Sequence, residues 1–189
     1  MGNSTFKEYV KPSLVLVLIC LVVSFALSQI YAGTLPIIEA NTAKAADEAR
    51  AVVLPEGGSF KAYEGELAPE IVDYYSADNG SGVAITSTAQ SYGGLITVMV
   101  GIDAKGAITG VKVMAHADTP GLGTKAMTED YLSQYKGKTS ADILEGQEGV
   151  TIKSNPNLDA ITGATISSNG VYHSVQNALK QFAEAGGVQ

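Results

Sequence analysis

The sequence predicts an α+β fold: a twisted, mainly antiparallel sheet packed by helices, carried on one N-terminal transmembrane helix. Three observations support this. Leu14–Ala32 reads LVLVLICLVVSFALSQIYA, uncharged and mostly apolar over the about 20 helical residues that cross a ~30 Å hydrocarbon layer. Two β-branched apolar runs, Gly94–Asp103 (GLITVMVGID) and Ala107–Ala115 (AITGVKVMA), are joined by a DAKG turn at Asp103–Gly106, the pattern of an antiparallel hairpin. Ser168–Ala185 places Val171, Val175, Leu179 and Phe182 on one helical face.

Taken in chain order, residues 1–12 form a cytoplasmic N-terminus and 13–32 the transmembrane helix. Residues 33–55 form a stalk and linker helix, and 56–189 the extracytoplasmic domain. Lys7 and Lys11 precede the apolar run and no basic residue follows until Lys44, so the positive-inside rule puts the N-terminus in the cytoplasm. A cleaved signal peptide is the competing reading. The run is long for one, and cleavage after Ala32 would put Ile30 where a small residue is preferred. Both readings export the domain. Thr42–Leu54 reads as an Ala-rich helix stopped by Pro55, and Gly57–Gly58 and Asp78–Gly82 (DNGSG) as loops. Thr124–Tyr135 reads as a short helix and Val150–Lys153 as a short strand.

With 46% hydrophobic and 16% charged residues the chain can form a packed core. A net charge of −7, one arginine (Arg50) and scattered lysines argue against nucleic acid. Cys20 is the only cysteine, which excludes internal disulfides and cysteine-held clusters. Two histidines, His116 and His173, stand far apart, and no metal site is expected.

Three short stretches carry chemistry. Asp159–Ser168 (DAITGATISS) is rich in hydroxyls and precedes the last helix. Gly163 and Ala164 allow a tight turn, and Ser167 or Ser168 can serve as N-cap. The helix start then favours an anion. An ordinary cap, an anion-binding cap and a modified hydroxyl all remain open at this point. A Walker-type loop is excluded because no lysine follows the glycine in the required pattern. A nucleophilic serine is excluded for want of a G-x-S-x-G turn. His116–Gly123 (HADTPGLG) offers bare peptide groups around Pro120, Gly121 and Gly123, or it is a tight connecting loop. Ser91–Gly94 (SYGG) sets Tyr92 beside two glycines.

Together, Asp-x-x-Thr-Gly-Ala-Thr at Asp159–Thr165, TPGLG at Thr119–Gly123 and YGG before a strand resemble the FMN-binding domain family. Its members include the G subunit of the Rnf electron transport complex and the C subunit of the sodium-pumping NADH:quinone reductase. The short chain is closer to the former. The resemblance implies FMN held covalently through its phosphate on Thr165, with Thr162 a bystander that fits the motif. Gly163, Ala164, Ile166, Ser167 and Ser168 would surround the phosphate. Thr119, Pro120, Gly121, Leu122 and Gly123 would pack on or bond to the ring, with Tyr92 a lesser candidate. Asp159 would belong to the sequence read by an exported flavin transferase.

The implied role is that of a membrane-anchored electron carrier, an electron-transfer subunit with no independent catalysis. Its complex would exchange electrons between ferredoxin and NAD+ and couple this to ion transport, and the subunit would contact lipid and other membrane subunits. No G-x-G-x-x-G follows a strand, so NADH is expected to bind elsewhere in the assembly. The alternatives are the equivalent subunit of the NADH:quinone reductase, or a non-redox exported small-ligand-binding module.

Overall fold

The computed structural model describes residues 9–143 and 151–188. The chain divides into two compact units, Met1–Ala45 and Ala46–Gln189. A helix, α1 (Lys11–Val53), contains both the expected span and the expected stalk helix without a break, although Pro36 lies inside it. In the first unit its apolar side chains, such as Leu16, Phe25 and Ile30, are exposed. Among the described residues it is the one helix long and apolar enough to cross a membrane. The Ser13 and Thr34 hydroxyls donate to the carbonyls of Tyr9 (2.7 Å) and Ile30 (3.0 Å). Such bonds satisfy a hydroxyl on its own helix, as an apolar environment requires.

The second unit is built on a five-stranded antiparallel sheet in the order β1-β2-β3-β4-β5. The strands are β1 (Phe60–Ala62), β2 (Ile71–Ala77), β3 (Gly82–Ser91), β4 (Gly94–Asp103) and β5 (Ile108–Ala115). β3 and β4 pair from Gly82↔Asp103 to Ser91↔Gly94, so the SYGG stretch is their hairpin turn. The expected β4–β5 hairpin is present. The Asp103 carboxylate accepts from the Lys105 and Ala107 N–H groups at 2.8 and 2.9 Å, while Gly106 takes φ +84°. Asp and Gly are the residues that make such a turn locally stable.

Beyond β5, the expected helix over 124–135 is broken into three pieces: a 3-10 turn at Gly123–Met127, α2 (Glu129–Leu132), and a 3-10 turn at Ser133–Tyr135. Thr128 makes the break. Its extended backbone caps α2, and its hydroxyl accepts from the Tyr131 N–H and donates to the Lys125 carbonyl. A side chain that bonds its own backbone in this way competes with the helical path. The short α3 starts at Ser140 and is described to Ile143. The expected strand at 150–153 is corrected. Ile152–Ser154 forms a 3-10 turn, anchored by the Asn169 side chain accepting from the Ile152 N–H, and Val150 lies outside the described residues.

The last helix, α4 (Thr165–Glu184), lies across one face of the sheet. Val171, Val175 and Leu179 are buried as their spacing predicts, against Val83, Ile85, Ile96, Val98 and Val100. Phe182 is partly buried at the margin of the same core. A second, smaller core on the unit joins Ala49 and Val53 to Ala84 and Met99. Thr109 Oγ1 donates to the Val53 carbonyl at 2.5 Å. A Cβ on Gly101 would lie 2.1 Å from that carbonyl oxygen, so the approach requires glycine there.

Candidate functional site

A cleft of about 490 Å³ opens where three segments meet. The β3–β4 turn supplies Tyr92, the loop after β5 supplies Thr119, Leu122 and Gly123, and the start of α4 supplies Gly163, Ala164, Thr165, Ile166 and Ser167. None of these residues is charged. Tyr92, Leu122 and Ile166 stay exposed, at 67%, 46% and 54%, so the cleft presents large apolar surface to its contents.

The helix start governs the polar end. Gly163 at φ +83° turns the chain, Ala164 stands at the N-cap, and no side chain caps the helix. Ala is a poor N-cap, since it cannot accept from the orphan N–H groups. The helix therefore offers no acceptor of its own to the N–H groups of Thr165, Ile166 and Ser167. The expected capping by Ser167 or Ser168 is corrected, because both lie inside the first turn. Ser168 is fully buried and already engaged, donating to the Ala164 carbonyl (3.1 Å) and accepting from the Ile161 N–H (3.1 Å). Ser167 is buried facing the cleft wall.

The remaining candidates divide. Thr165 lines the cleft and is half-buried, whereas Thr162 is exposed and does not line it. Pro120 and Gly121 shape the loop without lining the cleft. Gly121 takes φ +76°, and its N–H donates to Thr124 Oγ1 at 2.9 Å. Asp159 is exposed, tied by its backbone to the Gln134 side chain at 2.7 and 3.3 Å.

One residue carries no signal in the sequence. Asp118 is 4% exposed and sits behind the cleft. It accepts from the Ser91 hydroxyl and the Gly93 N–H, both at 2.5 Å. Burial pushes its carboxyl up. The Ser91 hydroxyl, the Gly93 N–H, the nearby Ser167 hydroxyl and His116 outweigh that, and the carboxyl is held below the usual range. Glycine contacts complete the junction. A Cβ on Gly93 would lie 2.1 Å from the Ala117 carbonyl oxygen, one on Gly123 2.8 Å from Ser167 Oγ, and one on Gly170 2.8 Å from Ser91 Cβ. His173 is occupied with Gln176 (2.8 Å). Among the described residues no cluster of metal ligands occurs.

Residues 91–180 match the family model of the FMN-binding domain. The chain is 28% identical over 170 residues to the G subunit of a proton-translocating ferredoxin:NAD(+) oxidoreductase complex of Clostridium ljungdahlii, covering 88% of this chain and 87% of the relative. It is 29% identical over 193 residues to the G subunit of the Na(+)-translocating complex of Acetobacterium woodii, covering 94% and 93%. The crystal structure of NqrC from Shewanella oneidensis matches at a TM-score of 0.47 and 20% identity, over 71% of this chain and 70% of that one.

Proposed function

We propose that this chain, whose residues 91–180 match the family model of the FMN-binding domain, is the membrane-anchored electron-carrier subunit, of the Rnf G type, of an ion-translocating ferredoxin:NAD+ oxidoreductase. Its FMN is joined through the phosphate to Thr165. Two relatives matched over most of their length are G subunits of ion-translocating ferredoxin:NAD(+) oxidoreductase complexes, which supports the assignment.

The observation that carries the attachment is the uncapped start of α4 beside a cleft-lining Thr165 hydroxyl. The residues present fit the cofactor. A phosphate on Thr165 would act as the missing cap, accepting from the orphan N–H groups at the positive end of the helix dipole. No lysine or arginine lines the cleft to hold a free phosphate, and a covalent ester removes that need. Leu122, Ile166 and Tyr92 offer apolar surface to a flat ring, and Gly123 lets backbone approach it. When bound, the flavin supplies electron transfer, while the protein contributes position, burial and local charge.

In the membrane, α1 spans with the N-terminus cytoplasmic and the domain outside. An exported flavin transferase makes the ester, and lipid and the other subunits of the complex surround the helix.

The test is a denaturing gel of the full chain co-produced with a flavin transferase. The expected result is yellow-green fluorescence on the band, lost in Thr165→Ala and kept in Thr162→Ala. Fluorescence that survives Thr165→Ala would sink the attachment.

A further inference from the structure

Asp118 reaches into all three segments of the cleft from behind. It accepts from Ser91 and Gly93 of the β3–β4 turn and directly precedes the Thr119–Gly123 loop. A Cβ on Gly123 would lie 2.9 Å from Asp118 Cβ and 2.8 Å from Ser167 Oγ of α4, so the carboxylate stands directly behind two residues that line the cleft. Its hydrogen-bonding partners are neutral groups, and among the described residues no lysine or arginine forms an ion pair with it. His116, the titratable side chain that acts on it, is exposed and screened by solvent. The wall of an uncharged cleft is therefore backed by one buried negative charge.

We propose that Asp118 is the positioning residue of this cleft: its carboxylate fastens the three segments together, and its fixed negative charge lowers the electron affinity of the ring bound in front of it. The second half rests on the flavin-carrier reading, and the first does not. A buried charge acts through a low effective dielectric, and a negative one disfavours adding an electron nearby.

Asn and Ala separate the two parts. In Asp118→Asn the amide oxygen still accepts from the Gly93 N–H, and the amide nitrogen donates to Ser91 Oγ, which is able to accept. The shape and bonds remain while the charge goes. Asp118→Ala removes both.

The experiment uses the full chain in detergent, with and without a co-produced flavin transferase, and compares all variants at one pH. On labelled protein, Asp118→Asn is expected to show a more positive midpoint potential than wild type. Ser91→Ala, which keeps the charge and loses one donor, is expected to show no positive shift. On unlabelled protein, hydrogen exchange of the Gly93 and Gly123 amides is expected to speed up in Asp118→Ala and Ser91→Ala, but not in Asp118→Asn. An Asp118→Asn chain with wild-type potential, or one that takes no label, overturns the charge assignment. Unchanged exchange in both Asp118→Ala and Ser91→Ala overturns the positioning role. A wild-type chain with no fluorescent band counts against the carrier reading instead, and the exchange comparison still decides whether Asp118 fastens the loops.

Discussion

Replacing Gly93 by alanine puts a methyl carbon 2.1 Å from the Ala117 carbonyl oxygen, 2.3 Å from its carbon and 2.7 Å from the Asp118 nitrogen. All three are backbone atoms, so no side chain is able to swing aside. The β3–β4 turn must move away from the strand that leads into the TPGLG loop. Overpacking of this kind costs about 1–3 kcal/mol. The movement also strains the Gly93 N–H bond to the buried Asp118 carboxylate, and losing a bond to a charged group costs about 1.5–3 kcal/mol. The sum is about 4 kcal/mol, or roughly 12 °C in Tm at about 3 °C per kcal/mol for a domain of this size. Gly58→Ala is the matched comparison. Gly58 has φ +67° but nothing within 4 Å of its added Cβ, so only the left-handed backbone is strained, at about 1–2 kcal/mol. Thermal melts of the detergent-solubilised chain, followed by near-ultraviolet circular dichroism, compare the two variants. A Gly93→Ala chain that melts at or above Gly58→Ala refutes the clash.

Two further predictions concern the core and the alkaline limb. Leu179→Ala removes a side chain that is 1% exposed between α4 and the sheet and is expected to cost about 2–5 kcal/mol in denaturant titration. Leu95→Ala, at a position 66% exposed, should stay within about 0.5 kcal/mol of wild type. Burial, and then the neighbouring Tyr63, push the Tyr74 hydroxyl up to about 12. In the unfolded chain it titrates near its ordinary value of about 10. Its contribution to stability is therefore present below about pH 10 and lost as pH rises toward 12. Tyr74→Phe is expected to flatten that loss when stability is measured by urea titration across this range.

The parts of the fold that can be read from the sequence are those fixed by neighbours along the chain. The β4–β5 hairpin is set by Asp103 bonding the N–H groups two and four residues on. The buried face of α4 follows from helical spacing, and the apolar run of α1 from composition. β3 carries no such mark. It is covered on both faces, by α4 through Val83 and Ile85 and by Ala49 and Val53 through Ala84. Burial on both sides erases the alternation that identifies a strand. β2 is hidden by Asp73, Tyr75 and Ser76, whose polarity fits a loop as well as a strand.

The site shows the same division. The two glycine-bearing loops and the hydroxyl-rich turn are evident as stretches, and the cleft does gather Tyr92, Leu122, Gly123, Thr165 and Ser167 from them. The start of α4 is less legible, and the helix begins three residues before the Ser168 that the sequence suggests. A hydroxyl is the expected cap, and the chain supplies Ala164 instead.

What the sequence determined by itself is whatever a short window of chain can enforce: the apolar anchor, the Asp103 turn, the amphipathic last helix, and the order of the three motif stretches. What only the tertiary structure decided is the chemistry behind them. Nothing around Asp118 in ADTPG indicates that Ser91, 27 residues earlier, would meet its carboxylate, or that the carboxylate would be buried behind a cleft. Desolvation and long-range hydrogen bonds exist only once strand pairing has closed that separation. The environment of a polar group is a property of the packed fold rather than of the residue itself.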